Sequence, residues 1–419
     1  MKRALLIVGG VVLVASLVAS LVVFVVVFAG GNRPQPTATA SAQPTTTAAY
    51  TFGGTSLTYT FGVEPGPMPF IERMPIRLTQ NAIRFRVHVA NQNLRLGEVI
   101  PGVVELGGVW IGPDKAGATG EYPTGILASP SVSIMPATTL VDGAEYTGPW
   151  IEEGRYELDA DEFHAVSVAL SFDALQPIAT TFSGSWLTGG DASKARDTEP
   201  GVWTNGISLL DVWIEYEYVG HAPTLLVYGS SLSTPGNGGP IETYGEPAAW
   251  SQRWAALTGG IALNSAVSTG TIDHFVSLNR LTQRFSDIVP DAVVLWTASN
   301  SLGRGDPYDQ VQADTQATID RLRLRYPGVV IVLATEPGRN DFVIPDEYYQ
   351  NRLRYNEWIR SIPDGADGFI DLDALLSDPS DNHFLSSEYD SGDLVHLNEA
   401  GHVAVAELVR QTLSELGVG

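Results

Sequence analysis

The chain has 419 residues, no cysteine and a formal net charge of −23 at pH 7. A chain of this length is long enough for two or three domains, each with its own core. The charge argues against a nucleic-acid partner, because phosphate binding needs clustered Lys and Arg, and the absence of cysteine excludes disulfides, cysteine nucleophiles and thiolate metal sites.

The N-terminus begins with Met1-Lys2-Arg3 and continues into an uncharged apolar run from Ala4 to Ala29. That run exceeds the roughly 20 residues that a helix needs to cross a bilayer, and it is longer than the apolar part of a typical secretory peptide. We therefore predict a signal anchor, a single transmembrane helix over residues 1–29, with Lys2 and Arg3 in the cytoplasm and the rest of the chain outside. A cleaved export signal is the alternative, and it would release the same part of the chain.

A polar segment rich in Pro, Thr, Ala and Gln follows over residues 30–49. It cannot bury a core, so we predict an extended linker. From Tyr50 to about Gly220, short runs alternate between apolar and polar residues, as in Ile83–Val89, Val103–Leu106 and Ala165–Leu170. Period-two alternation between clusters of Gly, Pro and Asp predicts an all-β sandwich, similar to a jelly roll, over residues 50–220.

Residues 221–419 follow a different pattern, in which apolar strands alternate with segments of helix length. The predicted strands are Leu225–Tyr228, Ala292–Trp296, Val329–Ala334 and Gly368–Leu372, and the predicted helices are Ala248–Leu257, Gln310–Tyr326, Glu347–Ser361 and Asn398–Leu416. This alternation predicts an α/β domain with a parallel sheet that is covered by helices on both faces. In such a sheet a site is expected at the carboxyl ends of the strands.

Four residues of this part carry the chemistry of acyl transfer. Ser231 and Asn300 each follow a predicted strand, and Asp393 stands three residues before His396. At that spacing the carboxylate can hold one imidazole nitrogen and leave the other free as a general base. Ser231 would then be the nucleophile and Asn300 a donor to an oxyanion.

At these residues the chain resembles the SGNH (GDSL-like) hydrolase family, over about Ala222 to Gly419. The family's first block, Gly-Asp-Ser-Leu-Ser, is similar to Gly229-Ser230-Ser231-Leu232-Ser233, and its third block, Gly-x-Asn-Asp, is similar to Ala298-Ser299-Asn300-Ser301. The last block, Asp-x-x-His within a longer His-Leu-Asn-x-x-Gly-His run, is matched closely by Asp393 to His402. The resemblance implies a three-layer α/β/α fold in which Ser231, His396 and Asp393 form a triad.

The second block of the family supplies a glycine whose N–H completes the oxyanion hole, and the matching stretch is Asn264 to Thr271. In strict register Thr269 takes this place, provided that its backbone conformation is ordinary, whereas a shift of one residue gives the place to Gly270. Further departures from the family pattern are Ser230, Ala298 and Ser301. They leave a divergent or inactive member as an alternative.

The resemblance implies an extracytoplasmic serine esterase for acyl or acetyl esters, and carbohydrate esters are favoured by analogy. No cofactor or metal is expected, because the acidic pair Asp306 and Asp309 is explained by a helix start. The alternatives are a non-catalytic glycan-binding module and an acyltransferase that modifies cell-wall polysaccharides. The expected partners are an ester substrate and, through residues 1–29, the membrane.

Overall fold

The computed structural model describes residues 44–118, 122–181, 184–190, 192–198, 204–234, 245–276, 284–285, 287–340 and 347–419. Residues 43–419 group into one compact unit. The predicted membrane anchor lies outside the described residues. Within the ranges given, no helix is both long enough and apolar enough to cross a membrane.

The first part of the described chain, up to residue 220, is rich in short strands. In chain order these are β1 (Thr45–Thr51), β2 (Leu57–Tyr59), β3 (Pro67–Ile76), β4 (Arg84–Ala90), β5 (Gln92–Asn93), β6 (Glu98–Val99), β7 (Val103–Pro113), β8 (Val132–Met135), β9 (Thr138–Val141), β10 (Tyr146–Thr147), β11 (Ile151–Glu152), β12 (His164–Asp173), β13 (Ile178–Thr181), β14 (Trp186–Gly189), β15 (Thr204–Asn205), β16 (Ser208–Leu209) and β17 (Asp211–Val219). A 3-10 helix covers Ala192–Arg196. We call this part the β-rich region.

Two larger antiparallel sheets organise the β-rich region. One has the order β1-β17-β4-β10, with β11 also paired to β4, and the other has the order β15-β14-β3-β12-β7-β8, with β9 paired to β7. The small sheet β16-β13-β2 and the hairpin β5-β6 complete it. The predicted alternating runs lie in β4, β7 and β12, where apolar side chains of both larger sheets enter one buried cluster. The jelly-roll connectivity stays a prediction.

Strand β1 starts earlier than the sequence pattern indicated. It begins at Thr45, inside the segment predicted to be a linker, and pairs with β17 along its whole length. The cause is the run of threonines before Tyr50, because threonine favours strands whenever a partner edge is present. Ala48 and Ala49 are then buried against the core.

The second part of the described chain has the predicted parallel sheet. Its strands are β18 (Thr224–Gly229), β19 (Ile261–Asn264), β20 (Ala292–Trp296), β21 (Val330–Ala334) and β22 (Gly368–Ile370), in the order β19-β18-β20-β21-β22. Its helices are α1 (Trp250–Thr258), α2 (Ile272–Val276), α3 (Ser299–Gly303), α4 (Tyr308–Arg325), α5 (Tyr348–Arg360), α6 (Leu372–Leu376) and α7 (Glu399–Glu415). Two 3-10 turns cover Ser231–Ser233 and Glu246–Ala248.

Helices pack on both faces of this sheet. Leu225 and Val227 of β18 share a buried cluster with α1 and α7, whereas Leu226 and Tyr228 enter the cluster that contains α4 and α5. Successive side chains of a strand point to opposite faces, so a strand of continuous apolar residues is covered twice. The α/β domain with a parallel sheet is therefore confirmed.

Glu72 is a buried carboxyl group in the core of the β-rich region. It lies on β3 with no exposed surface, and its Oε2 accepts a hydrogen bond from the Leu209 N–H at 3.0 Å. Burial raises the pKa of Glu72 from 4.5 to about 8, against the opposing effect of its hydrogen bonds. The group is therefore neutral in the folded protein over a pH range in which it would be charged in the unfolded chain.

We expect Glu72→Gln to remove one component of the pH dependence of stability. The folded state keeps the Glu72 proton between pH 4.5 and about 8, where the unfolded state has lost it, so wild-type stability falls as pH rises through this window. Relative to wild type, the variant should gain about 1.4 kcal/mol of unfolding free energy per pH unit there. Urea unfolding at several pH values measures this difference, and a difference that does not change with pH would contradict it.

Candidate active site

Ser231 lies in a tight turn at the carboxyl end of β18. The strand ends at Gly229, and the Ser233 N–H donates to the Ser230 carbonyl at 2.9 Å to close the turn. A Cβ on Gly229 would lie 2.3 Å from Ser233 Oγ, so the turn needs glycine for this close approach. The turn leaves 7% of Ser231 exposed.

Three side chains form a continuous hydrogen-bonded chain at this edge of the sheet. Ser231 Oγ lies 2.9 Å from His396 Nε2, and His396 Nδ1 lies 2.5 Å from Asp393 Oδ2. The side chain of His396 is 19% exposed and that of Asp393 is 44% exposed, so the pair borders on solvent. In this arrangement Nε2 can accept the Ser231 proton while Nδ1–H donates to the carboxylate.

Asp393 also shapes the turn that carries the histidine. Its Oδ1 accepts hydrogen bonds from the N–H groups of Val395 at 3.0 Å and His396 at 2.8 Å. Partial burial opposes the charged form, but the hydrogen bonds from the His396 side chain and from both N–H groups outweigh it, and the pKa of Asp393 is lowered well below its ordinary value. The carboxylate is therefore ionised at neutral pH and able to stabilise an imidazolium.

Hydrogen bonds within the loop fix the position of His396. The Ser391 N–H donates to the His396 carbonyl at 2.9 Å, and the Leu394 N–H donates to Asp390 Oδ1 at 2.9 Å. Asn398 then caps α7, because its side chain accepts an N–H of the first turn at 3.0 Å. The histidine thus lies between a closed loop and a capped helix, which restricts its ring.

The segment after β19 passes beside the Ser231 turn. Ladder hydrogen bonds continue beyond the strand, with the Ser265 N–H donating to Val227 and the Val267 N–H donating to Gly229, both at 2.9 Å. Thr269 follows with a φ of 58°, so it lacks the ordinary conformation on which its assignment depended. Glycine adopts this left-handed conformation freely, whereas threonine does not.

The two candidate backbone donors of this segment are Thr269 and Gly270. The Gly270 N–H donates to the Val267 carbonyl at 2.8 Å and is committed to the turn. Thr269, the residue before it, is exposed. Which of Thr269 and Gly270 is the second-block donor therefore stays a prediction.

The amide of Asn300 is oriented from both ends. Its Nδ2 donates to the Gly270 carbonyl at 3.0 Å, and its Oδ1 accepts from Arg339 Nη1 at 3.4 Å. An amide nitrogen carries two hydrogens, so one N–H remains for a substrate oxygen. Arg339 also donates to Ser299 Oγ at 2.9 Å, which ties it to the helix that carries Asn300.

Glu336 supports the Asn300 turn from below, and sequence reasoning missed it. Its buried carboxylate accepts hydrogen bonds from the Trp296 indole N–H at 3.0 Å and the Ala298 N–H at 2.8 Å. Burial raises the pKa of Glu336 to about 7, against the effect of these hydrogen bonds. The available signal was an acidic residue two positions after the strand that ends at Ala334, but no family block marks that position.

The residues that depart from the family pattern have structural contacts of their own. Ser301 Oγ accepts a hydrogen bond from the Ile272 N–H at 3.0 Å and so joins α3 to the start of α2. Ala298 is fully buried above Glu336, and Ser230 is 1% exposed within the nucleophile turn. None of these contacts displaces Ser231, Asn300 or the histidine loop.

Three other histidines of this part are engaged elsewhere. His402 Nδ1 accepts from the Trp250 N–H at 3.1 Å, and burial lowers its pKa to about 3. His274 Nδ1 accepts from the Thr271 N–H at 3.0 Å, and His383 lies beside Asp381. Across the described ranges, no group of three or more His, Asp or Glu side chains is arranged to hold a metal ion.

Comparison with known proteins gives a family match for this part of the chain. Residues 227–404 match the GDSL-like lipase/acylhydrolase family model. No functionally curated protein matches the sequence. The match spans β18 to the first turns of α7 and so includes Ser231, Asn300, Asp393 and His396.

Several solved structures are similar to the chain at low identity. The psychrotrophic esterase EstA from Pseudoalteromonas is 16% identical, with 46% of this chain and 97% of that chain covered and a TM-score of 0.35. A GDSL-like lipase from Bacteroides thetaiotaomicron is 13% identical, with 46% and 88% covered and a TM-score of 0.36. A protein from Bacillus subtilis is 18% identical, with 82% and 80% covered and a TM-score of 0.36.

The assignment rests on the family match. That match covers most of the parallel sheet, its helices and the loops at the carboxyl edge of the sheet, over residues 227–404. The β-rich region lies outside it. Residues 227–404 are therefore a GDSL-like lipase/acylhydrolase domain, so that this part of the chain is a hydrolase domain of the GDSL type.

Proposed function

We propose that the protein is a serine esterase that works through a Ser231-His396-Asp393 triad and an acyl-enzyme. The observation that carries the proposal is the unbroken hydrogen-bonded chain from Ser231 Oγ through His396 to Asp393, at 2.9 and 2.5 Å. A serine hydroxyl is a weak nucleophile unless a neighbouring base takes its proton. Here His396 is that base, and the Asp393 carboxylate stabilises its charged form.

The reaction follows from these positions. His396 Nε2 takes the Ser231 proton as Oγ attacks the ester carbonyl, and Asp393 stabilises the imidazolium. The protonated His396 then gives its proton to the leaving alcohol, so that the acyl group stays on Ser231. Water attacks the acyl-enzyme with His396 as the base again, and the carboxylic acid leaves with Ser231 restored.

The negative charge on the carbonyl oxygen needs donors in fixed positions. We assign the Ser231 N–H, the second N–H of Asn300 Nδ2 and the Thr269 N–H to this oxyanion hole. The first starts the 3-10 turn, the second is oriented by Gly270 and Arg339, and the third belongs to an exposed residue. Such donors contribute more in the transition state than in the ground state, because charge develops only there.

The proposed substrates are acetyl or other short acyl esters, including acylated carbohydrates. The acylhydrolase family match over residues 227–404 supports ester substrates. The membrane is the second proposed partner, through a transmembrane helix in residues 1–29, with the hydrolase domain outside the cytoplasm. Its support is the uncharged run after Lys2 and Arg3.

We expect Ser231→Ala to abolish ester hydrolysis while the fold is kept, because the hydroxyl is the group that attacks. The measurement is turnover of p-nitrophenyl esters across acyl chain lengths by purified protein, with far-UV circular dichroism to check folding. Wild-type turnover in a folded variant would overturn the nucleophile assignment. A wild-type protein that binds glycans without turning over any ester would favour the binding module instead.

We expect Asn300→Ala to lower kcat about 100- to 1000-fold with little change in KM, because the amide donates mainly to the transition state. Steady-state kinetics on the best p-nitrophenyl ester measures both constants. Gln310→Ala, on an exposed side chain that donates to Asp314 within α4, is the matched amide control and should match wild type. Equal losses in the two variants would rule out a specific oxyanion role for Asn300.

Cell fractionation is expected to place the protein with membranes, and external protease should digest the hydrolase domain in intact cells. The reason is the apolar run from Ala4 to Ala29 after two basic residues. A variant that lacks residues 4–29 should stay in the soluble fraction. Recovery of a soluble mature form that begins near Gln43 would instead show a cleaved export signal.

A further inference from the structure

Thr269 holds a conformation that its own side chain disfavours. Its φ of 58° lies in the left-handed region, where a Cβ comes too close to the backbone and β-branched residues are rare. Such strain persists only when the surroundings hold the residue in place. The question is therefore which contacts hold Thr269.

The β-rich region supplies one of these contacts directly. Arg95 Nη1 donates a hydrogen bond to Thr269 Oγ1 at 3.0 Å, although the two residues are 174 positions apart in the chain. Arg95 lies in the hairpin between β5 and β6. Its neighbour Leu94 has no exposed surface and donates its N–H to the Thr55 carbonyl at 2.9 Å, so the base of the hairpin is fixed.

The β-rich region also contacts the backbone of the residues that precede Thr269 in the chain. Gly54 forms a parallel bridge with Val267, and a Cβ on Gly54 would lie 2.8 Å from the Ala266 carbonyl oxygen. Thr51 Oγ1 donates to the Asn264 carbonyl at 2.8 Å. The β-rich region thus contacts the segment at several points between β19 and Thr269, the proposed oxyanion donor.

We propose that Arg95 is a positioning residue for ester hydrolysis, acting through Thr269. Its guanidinium fixes the Thr269 side chain, and with it the left-handed backbone whose N–H is the proposed oxyanion donor. The inference rests on the proposed function and extends it: the β-rich region becomes part of the active site. The Gly270 carbonyl, held by Asn300 Nδ2 at 3.0 Å, fixes the segment from the opposite side.

A double-mutant cycle tests the path through Thr269. The variants are Arg95→Ala, Thr269→Val and the pair, assayed in the full chain with the best short-chain p-nitrophenyl ester. Thr269→Val keeps the β-branched shape and the N–H but removes the acceptor for Arg95. Each single variant is expected to lower kcat between about 5- and 100-fold with KM nearly unchanged, because a displaced donor weakens only transition-state binding. The pair should lose no more than either single variant.

Two further variants separate positioning from stability. Arg95→Lys can still donate one hydrogen bond and should recover part of the lost kcat. Arg155→Ala removes an arginine that donates to the Ser133 carbonyl within the β-rich region, and it should match wild type. Thermal unfolding of all variants shows whether a lost rate follows lost folding, and Arg95→Lys keeps the test valid if Arg95→Ala unfolds.

The outcomes distinguish this inference from the proposed function. Wild-type kcat in Arg95→Ala, in an enzyme that Ser231→Ala inactivates, would overturn the inference alone. Losses of kcat that multiply in the double variant would also overturn it, because Arg95 would then act independently of Thr269. A rise in KM with kcat unchanged would overturn it as well, because Arg95 would then act on substrate binding. A wild-type protein without ester turnover, or full turnover in Ser231→Ala, would overturn both.

Discussion

The hydrogen bond between Ser231 and His396 constrains the rest of the hydrolase domain. The two residues are 165 positions apart, and the hydrogen bond between them needs their atoms 2.9 Å from each other. Parallel strands solve the problem, because they bring successive carboxyl ends to one edge of the sheet. Ser231 follows β18 directly, whereas the histidine comes from a loop that must be closed by its own hydrogen bonds.

A buried carboxylate performs a comparable task under Asn300. Glu336 has no exposed surface, yet it accepts hydrogen bonds from the Trp296 indole and from the backbone before Asn300. A buried acceptor without donors would destabilise the fold by more than its hydrogen bonds stabilise it. The turn is therefore constrained to keep both hydrogen bonds to Glu336. Neither Glu336 nor its two donors touch the reacting atoms, but their hydrogen bonds determine where the Asn300 amide can lie.

The sequence predicted the parts of this site that depend on local patterns. The spacing of Asp393 and His396 places both in one turn, and buried strands followed by Ser231 and Asn300 indicated the edge of the sheet. The φ of Thr269 could not be predicted, because nothing in threonine itself favours the left-handed region. Strand β19 was missed for a different reason: its three apolar residues, Ile261 to Leu263, are too few to distinguish a strand from a loop. The contact of Arg95 depends entirely on tertiary packing.

The register of β1 has a mechanical consequence. Thr45 pairs with Val219 and Thr51 with Trp213, so the strand enters the fold beside the point where the chain leaves for the hydrolase domain. A pulling force between residue 44 and that domain would therefore act on the pairs one after another, starting at Thr45, and would not load them all at once. Antiparallel pairs opened in this sequence resist little force. Under tension β1 would peel away before the parallel sheet yields.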